Sequence, residues 1–336
     1  MGFATIYYVA TADNQIDSQL LSEYKADKQL TTQFKNFAQK YHKYYLTNEE
    51  SDMRFIIFSE NYQRIKQFNS EGYSFKLAVN FFADLTEEEY ESIYLNNPKP
   101  TGYEYIETET EMPVGDNVDI DYTNKVGRVK DQGTCGSCWS FAASGAMEFL
   151  YSANNNNKVL EFSEQQIVDC CRTALTQGCN GGEAFDAFDC TSSQGVVLES
   201  DYPYLAVDGV CRTANVAFKS TSHAQLPSAN NTALLTRLNI QAIYIGVNAA
   251  SYYWRFYSSG VVSKGCSYQE IDHAVLLVGA GTDAVSSLPY WKIKNSWGPN
   301  WGNQGFIYIL REQIDGKPAQ CAMNLQTYYP TFGKIN

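Results

Sequence analysis

Residues 132–152 read QGTCGSCWSFAASGAMEFLYS, and the rest of the chain is read outward from this stretch. From Cys138 to about Ser152 the residues are small and apolar throughout, a pattern that predicts a helix buried on most of its sides. A glycine-containing loop precedes it, so Cys138 sits at the helix start. Helix N-termini carry partial positive charge and unpaired N–H groups, which favour a thiolate over a thiol. Cys138 is therefore a candidate nucleophile. The Cys135–Cys138 spacing also fits a redox pair, half of a zinc site, or two disulfide halves. A redox pair should follow a strand in a βαβ pattern, and no such pattern is present. Zinc needs a second well-placed pair, and Cys170-Cys171 are adjacent. Between nucleophile and disulfide halves the local stretch does not decide.

Downstream, Ser163–Cys170 and Glu183–Ser192 read as two further short helices. From about Ala242 the texture turns strand-like, in IYIGVN, HAVLLVGAG, YWKIKNSW and GFIYILR, rich in β-branched and aromatic residues. A helical half followed by a β half predicts two subdomains with a cleft between them. The chain has three histidines. His42 lies in an N-terminal helical region and His223 in a polar stretch, while His273 enters the strand AVLLVG after Asp272. A lone histidine at a strand edge is most often structural. Here Asn295-Ser296-Trp297-Gly298 follows 22 residues later. An asparagine bonded to the imidazole would fix its tautomer, and Trp297 would screen that bond from water. Gln132, on the loop before Cys138, could form an oxyanion hole with the Cys138 backbone N–H.

The first third is different. Apolar residues recur at helical spacing over Asp27–Tyr45 and Asn48–Asn69, the second with Phe55, Phe58, Tyr62, Ile65 and Phe68 on one face. Asn48-Glu49-Glu50-Ser51 suits a helix N-terminus. Lys76–Phe82 reads as a short strand. The acidic segment from Asn96 to Asp116, with Pro98, Pro100, Gly102, Pro113 and Gly115, reads as a linker and processing region. Residues 1–112 hold 10 basic and 18 acidic side chains, against 15 and 19 in 113–336, which suggests two parts with different jobs.

The net charge of −12 and the absence of a basic face argue against nucleic-acid or anionic-membrane partners. No apolar run approaches the roughly 18 residues that span a bilayer. All nine cysteines follow residue 134, which favours an oxidising, secretory route and leaves at least one thiol unpaired. Residues 1–12 read as a weak signal segment ending in Ala10-Thr11-Ala12. The run is short and lacks a preceding basic residue, so an ordinary N-terminus fits it as well.

Six blocks together make a resemblance: QGTCGSCWSF at 132–141, IVDC at 167–170, GCNGG at 178–182, YPY at 202–204, DHAV at 272–275 and NSWGPNWG at 295–302. Residues 113–336 resemble the papain/cathepsin L family of cysteine peptidases. The first third carries Glu50, Arg54, Phe58, Asn61, Ile65 and Asn69, a complete ERFNIN pattern of cathepsin L-type propeptides. Asn80, Phe82 and Asp84, with Ala78 in place of the usual glycine, resemble the motif that follows it. Glu50 and Arg54, four apart, are expected to pair on the helix surface.

The resemblance implies an α+β fold of two subdomains, helical and β-rich, preceded by a mainly helical propeptide. The expected division is 13–95 propeptide, 96–112 linker and 113–336 catalytic domain. It implies an endopeptidase zymogen with Cys138, His273, Asn295 and Gln132 as catalytic residues, Trp297 in support, and no cofactor or metal. It pairs Cys135 with Cys179, Cys170 with Cys211 and Cys266 with Cys321; Cys171 and Cys190, outside that set, could form a fourth bridge. Family position maps a substrate pocket onto Glu183, Ala184, Gly246, Ile271, Ala274 and Gln326, roomy and with an uncharged floor, suited to Leu, Phe or Tyr more than Arg. The expected partners are protein or peptide substrates and the chain's own propeptide, in a monomer directed to a lysosome, an acidic vacuole or the cell exterior. Asn230 begins one glycosylation sequon. Carboxylates of the acidic prosegment suggest acid activation, with self-cleavage near Met112–Asp116. A catalytically idle binding or storage relative is the rival, and the filled catalytic positions argue against it.

Overall fold

The computed structural model describes residues 17–96, 99, 100, 102, 118–312 and 314–332. The expected signal segment and most of the linker and processing region lie outside the described residues. The prosegment contributes helices α1 (Ser18–Ala26), α2 (Lys28–Lys40), α3 (Asn48–Ser70) and α4 (Glu87–Tyr94), and strands β1 (Phe75–Leu77) and β2 (Lys99–Pro100). Then follow β3 (Ile120–Asp121), α5 (Cys138–Asn154), α6 (Glu164–Cys170), α7 (Ala184–Gln194), β4 (Val196–Val197), β5 (Val216–Phe218), β6 (Ser222–Gln225) and α8 (Asn231–Leu238). The last part holds β7 (Ile243–Val247), α9 (Tyr252–Phe256), β8 (Tyr257–Val262), β9 (Glu270–Ile271), β10 (His273–Thr282), β11 (Pro289–Lys294), β12 (Phe306–Leu310) and β13 (Thr327–Thr331).

The main sheet runs β1-β8-β12-β11-β10-β7-β13-β6, with β3 also on β10. One core gathers α5, α6 and α7 around Trp139, Met147, Ile167 and Phe188. The other lies under the sheet around Trp254, Trp291, Trp297 and Trp301, and it takes in Phe58, Ile65, Phe68, Phe82 and Tyr90 of the prosegment. The inhibitor segment and the β-rich half thus share one hydrophobic core.

Several prosegment expectations are corrected. The helix expected to run to Tyr45 stops at Lys40, because the chain turns at His42, whose φ is +52°. The strand expected over Lys76–Phe82 is only Phe75–Leu77, since the Asn80 side chain accepts the Phe82 N–H and folds the segment into a turn. Glu50 and Arg54 do not pair. Glu50 accepts the Leu46 N–H, while the buried Arg54 reaches α4 and binds Glu89 with both guanidinium arms and the Asp84 carbonyl. Two prosegment helices, α1 and α4, are additional to those read from sequence, as are α8 and α9 further on. The remaining motif residues act on the backbone that follows α3: Asn61 donates to the carbonyls of Ala83 and Leu85, and Asn69 exchanges hydrogen bonds with Leu77. Asp84 is held by Lys43 at 2.8 Å and by Tyr45.

Docking onto the catalytic half is largely through backbone groups. β1 pairs antiparallel with β8, Phe75 facing Gly260. Gly260 has φ +81°, and a side chain there would strike the Ser74 carbonyl, so only glycine fits. Arg255 is buried and donates to the carbonyls of Phe82, Leu85 and Thr86, while its own carbonyl accepts from Asn80.

Four disulfides join Cys135–Cys179, Cys170–Cys211, Cys171–Cys190 and Cys266–Cys321, leaving Cys138 as the free cysteine. Arg54→Ala is expected to strand the half-buried Glu89 carboxylate and lower the stability of the docked prosegment by about 3 kcal/mol. Urea unfolding of the precursor, followed by prosegment tryptic susceptibility, measures it; an unchanged midpoint would refute the anchoring role.

Candidate active site

Cys138 is the first residue of α5, and its side chain is fully buried. The disulfide Cys135–Cys179 and the bond from the Gly136 N–H to the Cys179 carbonyl (2.8 Å) fix the loop before it. Across the cleft, β10 begins at His273. Its neighbour Ala274 points its backbone N–H at the Cys138 sulfur, which places thiol and imidazole on facing walls. His273 Nε2 lies 2.8 Å from Asn295 Oδ1. That oxygen also accepts the Ser296 N–H at 2.8 Å, so the amide orientation is settled by a donor that cannot accept. The imidazole therefore carries its neutral-form proton on Nε2. Its Nδ1 is buried with no hydrogen-bond partner among the described residues. Trp297 stacks on the ring, centroids 4.8 Å apart.

Gln132 is held from three sides. Its N–H donates to the Ser296 carbonyl at 2.8 Å, its Oε1 accepts the Ser296 hydroxyl at 2.6 Å, and its Nε2 donates to the Cys135 carbonyl. Tyr204 donates to the Gln132 carbonyl at 2.8 Å and, through that same hydroxyl, accepts from Ser137, the residue before the thiol. Ser296 thus ties the two walls to one another, and Tyr204 braces the loop that carries Gln132 and Ser137. Sequence reading passed over both, although Ser296 stands inside the Asn295-Ser296-Trp297 block and Tyr204 inside YPY.

The prosegment fills the cleft. Asn96 donates its backbone N–H to the Asp272 carbonyl at 2.8 Å and its side-chain amide to the Cys138 sulfur at 3.2 Å. A side chain at Gly136 would sit 2.8 Å from the Asn96 carboxamide, so the amide occupies a slot that glycine leaves open. Phe82 and Tyr90 pack edge-on against Trp297. β2 pairs with β9, Lys99 facing Ile271, and the Lys99 ammonium is paired with Glu183.

Under this cover the couple is neutral. Burial pushes the Cys138 thiol up to about 11, against the pull of the Ala274 and Trp139 N–H groups and Asn96. Burial likewise lowers His273 to about 4, despite the Asn295 bond. The helix terminus alone, expected from sequence to favour the thiolate, is outweighed by desolvation in the precursor.

Of the six expected pocket residues, four converge. Gly246 faces Ala274 across β7–β10 and donates to the Gln326 carbonyl, and a side chain at 246 would lie 2.9 Å from Ile271. Ala184 is buried in the same core as Ala274, and Glu183 stands just before α7 at the rim. Asn230 is half-buried and caps α8, accepting the Ala233 N–H. Among the described residues no cluster of His, Cys, Asp and Glu could hold a metal, and no helix is long and apolar enough to cross a membrane.

A reactive-thiol site at a helix terminus, between a helical and a β-rich half and covered by the chain's own leading segment, defines the precursor form of a thiol hydrolase. Comparison with known proteins narrows this. The papain family cysteine protease description matches residues 114–331, and the cathepsin propeptide inhibitor domain (I29) matches 34–90. The chain belongs to the papain family of cysteine proteases. It is 37% identical over 310 residues to digestive cysteine proteinase 2 of Homarus americanus, covering 88% of this chain and 94% of that one. It is also 37% identical over 291 residues to the probable cysteine protease RD21B of Arabidopsis thaliana, covering 84% of this chain but only 61% of that longer protein. The structure of a recombinant stem bromelain precursor superposes with a TM-score of 0.80 at 30% identity, covering 91% of this chain and all of the other.

Thiol titration of the denatured, unreduced protein is expected to find one thiol per chain. In the folded precursor at pH 7, iodoacetamide is expected to alkylate Cys138 at least about 100-fold more slowly than after prosegment removal, since the thiolate is the reacting form. Equal rates would refute the cover.

Proposed function

We propose that the protein is the zymogen of an endopeptidase in which Cys138 is the nucleophile and His273 its proton partner, with residues 13–95 as the inhibitory part and 113–336 as the catalytic part. The observation that carries this reading is the His273 Nε2–Asn295 bond at 2.8 Å, which leaves Nδ1 without a partner among the described residues, one residue before the Ala274 N–H that meets the Cys138 sulfur. Once the prosegment leaves and water returns, the burial penalty on both groups falls, and the thiol proton passes to Nδ1. The thiolate attacks the scissile carbonyl carbon, and the oxyanion is held by Gln132 Nε2 and the Cys138 N–H, which no helical bond uses. Nδ1–H then protonates the leaving amine, and the C–N bond breaks. Neutral His273 takes a proton from water, whose oxygen displaces the sulfur and releases the acid. Asn295 keeps the imidazole in register, and Trp297 keeps water from their bond.

Gly246, Ala274, Ile271, Ala184 and Gln326 suit a Leu, Phe or Tyr side chain at the second substrate residue upstream of the cut, in preference to Arg. Four disulfides favour a secretory route to an acidic compartment or the exterior. Cys138→Ser is expected to abolish turnover of a peptide with Leu at the second position, by at least about 10³-fold in kcat. Gln132→Ala is expected to cost about 10²-fold in kcat with KM little changed. Full activity in the serine variant would sink the assignment.

Acid activation follows from the prosegment's own pairing. Burial raises the Glu89 carboxyl, but the Arg54 guanidinium, the Thr86 N–H and Arg255 outweigh it and hold Glu89 below its ordinary value of 4.5. Its stabilising contribution is therefore complete above about pH 4.5 and is lost as pH falls through the lower folded value. Glu91 and Asp272 oppose this. Burial and neighbouring acids raise both, Asp272 to about 7, so their protonation favours the closed form in mild acid. The precursor is expected to persist at pH 5.5–7 and to process itself only below about pH 4.5. Glu89→Gln should process at pH 6. Gel analysis across pH checks it, and processing of the parent protein at pH 6 would reject the Glu89 latch.

A further inference from the structure

The prosegment shows where the cleft carries charge. In the proposed apolar pocket the uncharged Gln326 lies with Ile271 against Gly246. The pocket rim is acidic: Glu183, one residue before α7, keeps 19% of its side chain exposed and is paired with Lys99. Lys99 is set by backbone pairing with Ile271, so the ammonium is delivered to Glu183 by a strand lying in the substrate's path. When the prosegment leaves, Glu183 loses this cation and faces the groove.

We propose that Glu183 is a specificity-determining residue that receives a cationic side chain, lysine or arginine, at the third substrate residue upstream of the scissile bond. The inference rests on the thiol-peptidase reading and deepens it. Side chains of an extended substrate alternate between opposite faces. The second enters the pocket of Gly246, Ala274 and Gln326. The third lies along the other wall, where the approach to α7 presents Glu183. Lys99 reaches that wall three residues after Asn96, which marks the sulfur. That separation of three residues puts Lys99 at the third step from the reacting centre. The propeptide runs through the cleft and supplies the same chemistry that the enzyme selects in a substrate.

The test uses acid-processed enzyme and fluorogenic peptides with Leu fixed at the second position and Lys, Arg, norleucine or Glu at the third. Lys and Arg peptides should exceed norleucine in kcat/KM by about fivefold, the scale of a half-exposed ion pair. The ratio should shrink in 1 M salt and fall towards one in Glu183→Gln, and Glu183→Lys should favour the Glu peptide. Equal cleavage of Lys and norleucine peptides, a lysine preference surviving in Glu183→Gln, or a preference confined to the second position would overturn it. Turnover of no peptide at all would overturn the peptidase reading with it, an outcome distinct from loss of selectivity.

Discussion

A side-chain amide of the prosegment meets the thiol. Asn96 Nδ2 donates to the Cys138 sulfur at 3.2 Å, at the start of a helix whose terminus draws negative charge. A sulfur in that position is a thiolate if water reaches it and a thiol if water does not. The prosegment keeps it a thiol by presenting a neutral donor in place of water and by sealing the imidazole beneath Phe82, Tyr90 and Trp297. Inhibition and activation are then two hydration states of one couple.

The seal combines a shared apolar core with hydrogen bonds that read the prosegment main chain. Arg255 fastens three prosegment carbonyls, those of Phe82, Leu85 and Thr86, β1 extends the sheet at β8, and Asn61 and Asn69 secure the turn from inside the prosegment. Such contacts read the path of the backbone, while Phe58, Ile65, Phe68, Phe82 and Tyr90 supply the apolar packing. Lys99 and Asn96, at the cleft itself, are where side-chain chemistry enters, one on a carboxylate and one on a sulfur.

Sequence made the catalytic half legible because its signals are local. Cys138 opens an apolar helix, His273 opens a strand, and Asn295 stands beside Trp297. The prosegment was legible in composition and motif but less so in partnership. Helical spacing offers Glu50 as a neighbour for Arg54, whereas the buried guanidinium needs a partner that desolvates with it, and Glu89 of α4 supplies both oxygens. Helix α4 itself was readable, since Thr86 and Glu89 form a capping box. Asn80 in a strand-like run signalled a turn. Asn96 and Arg255 carry no local signature, and the role of Tyr204, although it stands inside YPY, exists like theirs only once distant segments meet.

The alignment of the two walls has its own cause in buried charge. Lys130, on the loop leading to Cys138, is bound by both oxygens of Glu164 on α6 and lies 3.7 Å from Glu148 on α5. Lys294 of β11, adjacent to Asn295, approaches Glu148 from the other wall at 4.0 Å. Burial pushes Glu164 up to about 7 and pulls Lys294 down, so these charges are costly to hold apart from one another. Glu148 also accepts the Gly127 and Phe162 N–H groups, and Ser144 donates to Glu164. Apolar packing could fill the same volume, but it would let α5 slide along the sheet by small steps. Paired charges with fixed hydrogen-bond directions resist that sliding. Displacing Asn295 from its register would pull Lys294 from Glu148 and leave a buried ammonium unpaired, so the electrostatics behind the cleft hold the geometry in front of it.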